Sequence, residues 1–230
     1  KDVWYFHKSG KGEVTKSNLK PGLGANSESI GPELAFGHVL GNHFKEPVLL
    51  IKCAWGGQAI GMTFRPPGSG LPDGPVLQEM FAKAKKKNPA LTLEEYKATF
   101  GSRYRQVLSE VHDVLSNLQK EFPKLGRQGY EIAGFFFWQG DKDRYNAGHA
   151  SRYEKNLVHL IKTLRKEFKA PNAKFVVATL GQTTKDSAEE NEKLILDAQL
   201  AVDGEAGKYP EFKGNVSTVY THPLSQGGAS

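Results

Sequence analysis

Four short segments of the 230-residue chain place glycine, amide, carboxylate or imidazole groups directly after apolar runs. They are Trp55-Gly56-Gly57-Gln58, Gln139-Gly140-Asp141-Lys142-Asp143, Gly181-Gln182-Thr183 and Thr221-His222-Pro223. Glycine lets backbone N–H groups come close to a ligand. The side-chain amide of Gln139 can donate a hydrogen bond without adding charge. Neutral donors of this kind suit an oxyanion hole, where negative charge develops during acyl transfer. Gly57 and Gln139 are the leading donors, with Gly56 as the alternative to Gly57. Each segment also has a plainer reading: Gly56-Gly57 as a simple turn, and Gln139 as the cap of a helix or loop. Asp141 and Asp143 could order a loop or act as paired acids.

Other chemistries fit less well. The seven histidines show no metal-ligand spacing, and His38 and His43, five apart, do not share a helix face. There is no phosphate-binding loop and no Gly-x-Gly-x-x-Gly; Gly22-Leu23-Gly24 has Ser27 where a third glycine would stand. No metal or organic cofactor is therefore expected. The single cysteine, Cys53, excludes an internal disulfide and reads as a small core residue. A formal charge of +6 and a pI near 9.2 could point to nucleic acid. The only dense basic run, Lys83 to Lys87, instead reads as a solvated helix face, so no nucleic-acid partner is expected. No stretch approaches the roughly 18 to 20 apolar residues of a membrane helix, so no membrane partner is expected either.

The elements that must position these groups follow from hydrophobic patterning. Gly134-Phe135-Phe136-Phe137-Trp138 is an unbroken apolar run, as expected of a strand buried on both faces in the middle of a parallel sheet. Residues 2–6, 48–54, 174–180 and 216–220 predict further strands, and 7–30, polar and rich in Gly, Ser and Asn, predict a long loop. Helices are expected from Gly31-Pro32-Glu33 to about residue 44, and over 76–87, 93–122, 151–169 and 187–202. Gly37 and Gly41, one turn apart in the first helix, suggest close packing against a strand. The Gly- and Pro-rich stretch 58–75, which carries Arg65, is a loop over the carboxyl edge of the strands. Alternating strands and helices, with continuous rather than alternating strand runs, predict one α/β domain with a parallel sheet covered on both faces. Ligands bind such sheets at the carboxyl ends of the strands.

Three segments together resemble a known family. Ile30-Gly31-Pro32-Glu33-Leu34-x-Phe36-Gly37, Leu50-Ile51-Lys52-x-Ala54-x-Gly56-Gly57 and Trp138-Gln139-Gly140-Asp141-x-Asp143 resemble the sialate O-acetylesterase-like branch of the SGNH hydrolases, which includes the family six carbohydrate esterases. The resemblance spans about residues 2 to 222. It implies a three-layer α/β/α, flavodoxin-like fold and a serine esterase that removes acetyl groups from carbohydrates. In that pattern Gly57 (or Gly56) and Gln139 would be oxyanion donors. Asp141 stands where the family has Glu, and Asp143 matches the Asp two positions on. The family's Gly-Gln-Ser-Asn nucleophile motif does not occur in residues 1–230, and Val219 stands where the acid of its Asp-x-x-His would be. His222 is the histidine nearest that position, and it reads as either the base or a loop residue beside the site. The resemblance thus implies a single SGNH-hydrolase-like domain that lacks the first strand with the nucleophile and the C-terminal base segment, and a fragment inactive by itself. Trp55, Arg65, Trp138, Asp141 and Gln182 are candidates to contact the sugar, since aromatic faces stack on sugar rings and arginine offers a hydrogen-bonding fork. The plainer reading of the tryptophans is core packing. The alternative function is a non-catalytic glycan-binding relative. Polysaccharide substrates would suit a secreted or periplasmic protein.

Overall fold

The computed structural model describes residues 2–126 and 129–225. In chain order the elements are β1 (Val3–Lys8), β2 (Val14–Asn18), α1 (Pro32–His43), β3 (Val48–Lys52), α2 (Gly74–Lys87), α3 (Leu93–Thr99), α4 (Ser102–Ser116), α5 (Leu118–Glu121), β4 (Gly134–Trp138), α6 (Asp141–Arg144), α7 (Ala147–Ala150), α8 (Tyr153–Glu167), β5 (Lys174–Ala178), α9 (Glu190–Ala201) and β6 (Val216–Val219). No helix among the described residues is long and apolar enough to cross a membrane. The chain forms two compact units, one of residues 1–56 and 107–130, the other of 57–106 and 131–230.

The first unit holds a three-stranded sheet of order β2-β1-β3. β1 runs parallel to β3, with Val3 opposite Val48 and His7 opposite Lys52. Side chains alternate across β1. Val3 lies toward α1, while Phe6 and Trp4 pack with Val114, Leu118 and Phe122 of the α4–α5 segment. Helices thus cover this sheet on both faces. Gly37 makes α1 fit: a Cβ there would lie 2.5 Å from Leu19, 2.8 Å from Leu50 and 3.4 Å from Val3. The close packing expected of that glycine is present. The expected loop over 7–30 is corrected by β2, which pairs antiparallel with β1. A tight turn makes the hairpin: Ser9 Oγ accepts from Lys11 N and Glu13 N, and Gly12 adopts φ +86°. β2 is an exposed edge strand of mostly polar residues, so it has no buried apolar face for periodicity to report.

The second unit is built on an all-parallel sheet of order β4-β5-β6. Parallel neighbours need a crossover, and α8 and α9 supply it, burying Leu157, Ile161 and Ile195. The sheet corrects one expectation. β5, not β4, is central, and Phe175 and Val177 are its fully buried residues, whereas β4 is half-buried and Trp138 is 49% exposed. The helix expected over 93–122 is three helices. Gly101 breaks it at φ +72°, and a Cβ there would lie 2.9 Å from the Arg65 carbonyl oxygen. A separate small core of Leu77, Tyr96 and Phe100 holds α2 and α3 together. Thr92 and Glu95 form a capping box at the start of α3. On α2, Lys83 pairs with Glu79 and Lys85 lies over the Phe81 ring, as expected of a solvated helix face.

Candidate functional site

Because β4, β5 and β6 are parallel and in register, Trp138, Ala178 and Val219 lie side by side, and the segments after them share one edge. Thr179, fully buried, ties those segments together. Its carbonyl accepts from Trp138 Nε1 (2.9 Å) and Thr221 Oγ1 (2.7 Å), and its hydroxyl accepts from Thr221 N (3.0 Å). His222 Nδ1–H donates to the Gly181 carbonyl at 2.8 Å. A carbonyl can only accept, so that bond puts the proton on Nδ1 and leaves Nε2 as the ring's acceptor.

Gln139 is held on several sides. Its backbone carbonyl accepts from Tyr153 Oη (2.7 Å) and Gln199 Nε2 (2.8 Å). Its side-chain Nε2 donates to the Gln58 carbonyl (2.9 Å) and to Asp143 Oδ2 (2.6 Å). The contact with Gln58 sets the glutamine one residue from Gly57. Of the expected oxyanion donors, then, Gly57 and Gln139 are brought together. Gly57 is exposed at φ +68°, with nothing within 4 Å of where a Cβ would be. That backbone is one glycine adopts readily and other residues rarely do. Gly56 is equally open and ends the first unit.

Asp143 is the electrostatic centre of this arrangement. It is fully buried at the end of the one-turn helix α6. Its carboxylate accepts from Ile60 N (2.9 Å), Gly61 N (2.8 Å) and Gln139 Nε2. Burial raises its pKa above the usual carboxylate range, and these three bonds act against that rise. His149 Nδ1 lies 3.9 Å from Asp143 Oδ1, beyond hydrogen-bond reach. Its ring lies against Gly61, where a Cβ would come within 2.6 Å of it. Burial first, then Arg65 and Lys142, lower the His149 pKa to about 4, and the nearby carboxylate does not reverse this. His149 is therefore neutral at pH 7.

The expected sugar-contacting residues divide. Trp138, Asp141 and Gln182 share the edge, with Gln182 Nε2 donating to Asp141 Oδ1 (3.3 Å) and Arg144 Nε to the same oxygen (2.8 Å). Arg65 does not face outward. It is 5% exposed and its guanidinium donates to the carbonyls of Gly61, Ser69 and Gly70, closing the loop it belongs to. Trp55 belongs to the first unit, where its Nε1 donates to the Lys8 carbonyl at 3.3 Å. Sequence reasoning missed Tyr153, Gln199, His149 and Thr179. Gln199 had a readable signal: it sits among Ile195, Leu196 and Val202 on the buried stripe of α9, where an amide is out of place unless it is bonded.

Parallel strands joined by helices, with an amide and glycines at the carboxyl edge, define an α/β protein with its candidate site where such folds bind ligands. The description "carbohydrate esterase, sialic acid-specific acetylesterase" matches residues 2–209, and the chain belongs to that family. Among solved structures, a protein from Arabidopsis thaliana is 20% identical with a TM-score of 0.51, over 94% of this chain and 67% of that one. A carbohydrate acetylesterase from Xanthomonas citri is 15% identical with a TM-score of 0.48, over 94% of this chain and 41% of that one. No curated protein matches the chain by sequence.

Proposed function

We propose that this chain carries the oxyanion side of a carbohydrate O-acetylesterase of the SGNH type. The observation that supports it most is Gln139, held at a sheet edge one residue from Gly57. In this reading a serine, its proton taken by histidine, attacks the acetyl carbonyl. The Gly57 N–H and a Gln139 Nε2–H stabilise the tetrahedral oxyanion. Water then releases acetate, and no cofactor takes part. The nucleophile and base come from segments outside residues 1–230, so these residues alone turn over no ester. Trp138, Asp141 and Gln182 offer an aromatic face and hydrogen-bonding groups to the acetylated sugar. A secreted or periplasmic location suits such a substrate.

One hydrogen on Gln139 Nε2 must be released to reach an oxyanion. The bond to Asp143 is charge-assisted and the stronger, so the hydrogen now on the Gln58 carbonyl is the one that moves. That same occupancy favours a second reading, a non-catalytic glycan-binding relative in which the amide stays on Gln58. Acetate release by the full-length protein from an acetylated sugar separates the two. For the esterase, Gln139→Ala lowers kcat by roughly 10²-fold with little change in thermal stability. Unchanged kcat removes Gln139 from the oxyanion hole, and a full-length protein that binds the sugar without releasing acetate supports the second reading.

A further inference from the structure

We propose that Asp143 is the positioning residue of this site: its buried carboxylate sets which way round the Gln139 amide lies and locks that amide to the Gln58–Gly61 loop. The inference rests on the oxyanion role of Gln139 proposed above. A glutamine amide is nearly symmetric in shape, so only its partners distinguish nitrogen from oxygen. Here both partners of the amide nitrogen are pure acceptors, the Gln58 carbonyl at 2.9 Å and the Asp143 carboxylate at 2.6 Å. Turning the amide over would set Oε1 against both. The remaining carboxylate contacts are the backbone N–H groups of Ile60 and Gly61, just beyond the Gly57-Gln58 segment. One carboxylate therefore fixes the side-chain donor and the loop after the backbone donor.

Among the described residues no cation is bonded to this charge. His149 stops at 3.9 Å, and Lys142 and Arg144 of the same short helix are directed elsewhere: Arg144 pairs with Asp141 and Glu192, and Lys142 is exposed. A structural ion pair would be cheaper to bury. A carboxylate surrounded by neutral donors is what orienting those donors requires.

Asn at this position keeps the shape and one acceptor oxygen, but its NH2 replaces an acceptor that Gln139 Nε2 or a backbone N–H now uses. In the full-length protein, Asp143→Asn is expected to lower kcat about 10- to 100-fold with KM within about twofold, as a misplaced catalytic group does. In the Gln139→Ala background the same substitution is expected to cost much less, because the side-chain donor it positions is already gone and only its hold on the Ile60–Gly61 backbone is left to lose. Unchanged kcat in folded Asp143→Asn overturns the proposal, and so does an equal loss in both backgrounds. If Gln139→Ala itself keeps full kcat, the oxyanion reading fails separately. Hydrogen exchange of the 15N-labelled Gln139 side-chain amide in the wild-type protein decides the matter if Asp143→Asn does not fold. Exchange far slower than that of the exposed Gln182 amide is expected, and equal rates overturn the proposal.

Discussion

Each unit holds a largely buried charge at or just past the end of a strand, Lys52 in the first and Asp143 in the second, and the two are handled differently. In the first unit, Lys52 closes β3, and its ammonium donates to Glu33 (2.9 Å) and to the carbonyls of Leu23 (2.9 Å) and Gly24 (3.2 Å). Positive and negative charge cancel, and the pair binds α1 and the preceding loop to the sheet. In the second unit, Asp143 is buried more completely and meets only neutral donors. The difference teaches where to look for function. A compensated buried pair holds a fold together, whereas a buried carboxylate met only by neutral donors costs stability and is a candidate for a group that organises a site.

The contrast can be broken most forcefully at Lys52. Lys52→Met leaves Glu33 without its ion-pair partner, and a chemical denaturation curve should show a loss of about 3 kcal/mol, with the kcat expected on the proposed function unchanged per folded molecule of the full-length protein. A fall in kcat comparable to that of Asp143→Asn would erase the distinction between the two sites.

His149 sharpens the contrast through pH. Its pKa is depressed by burial, so the unfolded chain takes up the proton first as pH falls. Its contribution to stability is full above pH 6.5 and is lost as pH falls toward about 4, a decline on the order of 3 kcal/mol if the histidine acts alone. Asp143 works in the opposite sense: a carboxyl with a raised pKa favours the fold at acid pH, and that advantage is lost as pH rises through its folded value. Denaturation curves from pH 7 to 4 should therefore fall more steeply in Asp143→Asn and flatten in His149→Gln. A His149→Gln curve parallel to wild type would show that another group governs the acid limb.

The smallest effect belongs to packing away from either charge. Gly37→Ala pushes a methyl toward Leu19 and Leu50, and should lower stability by about 1 to 2 kcal/mol while leaving kcat alone. A stability change near zero would mean that α1 shifts to admit the methyl.

Most of the element pattern was legible because buried strands and amphipathic helices repeat apolar residues at fixed periods. The β2 hairpin was not, because an exposed edge strand needs no apolar face. The break at Asn117 was hidden by an apolar stripe that continues across it from Tyr104 to Phe122, and the one at Gly101 rests on a single glycine whose positive φ no pattern announces. In the site, Gly57 and Gln139 could be singled out by residue type and place. Arg65 could not be assigned, since a guanidinium reads the same whether it will meet a sugar or its own loop's carbonyls.

Local order therefore came from the sequence alone: which segments other than β2 are strands, that those run parallel, and that glycine and glutamine follow their carboxyl ends. These depend on side-chain period and backbone freedom, which neighbouring residues decide. Only the tertiary structure decided that Asp143 faces inward, that it joins residues some 80 positions apart at Ile60 and Gly61, and that Gln139 turns its nitrogen toward it. Those outcomes depend on desolvation and on partners distant in sequence, and no local pattern encodes either.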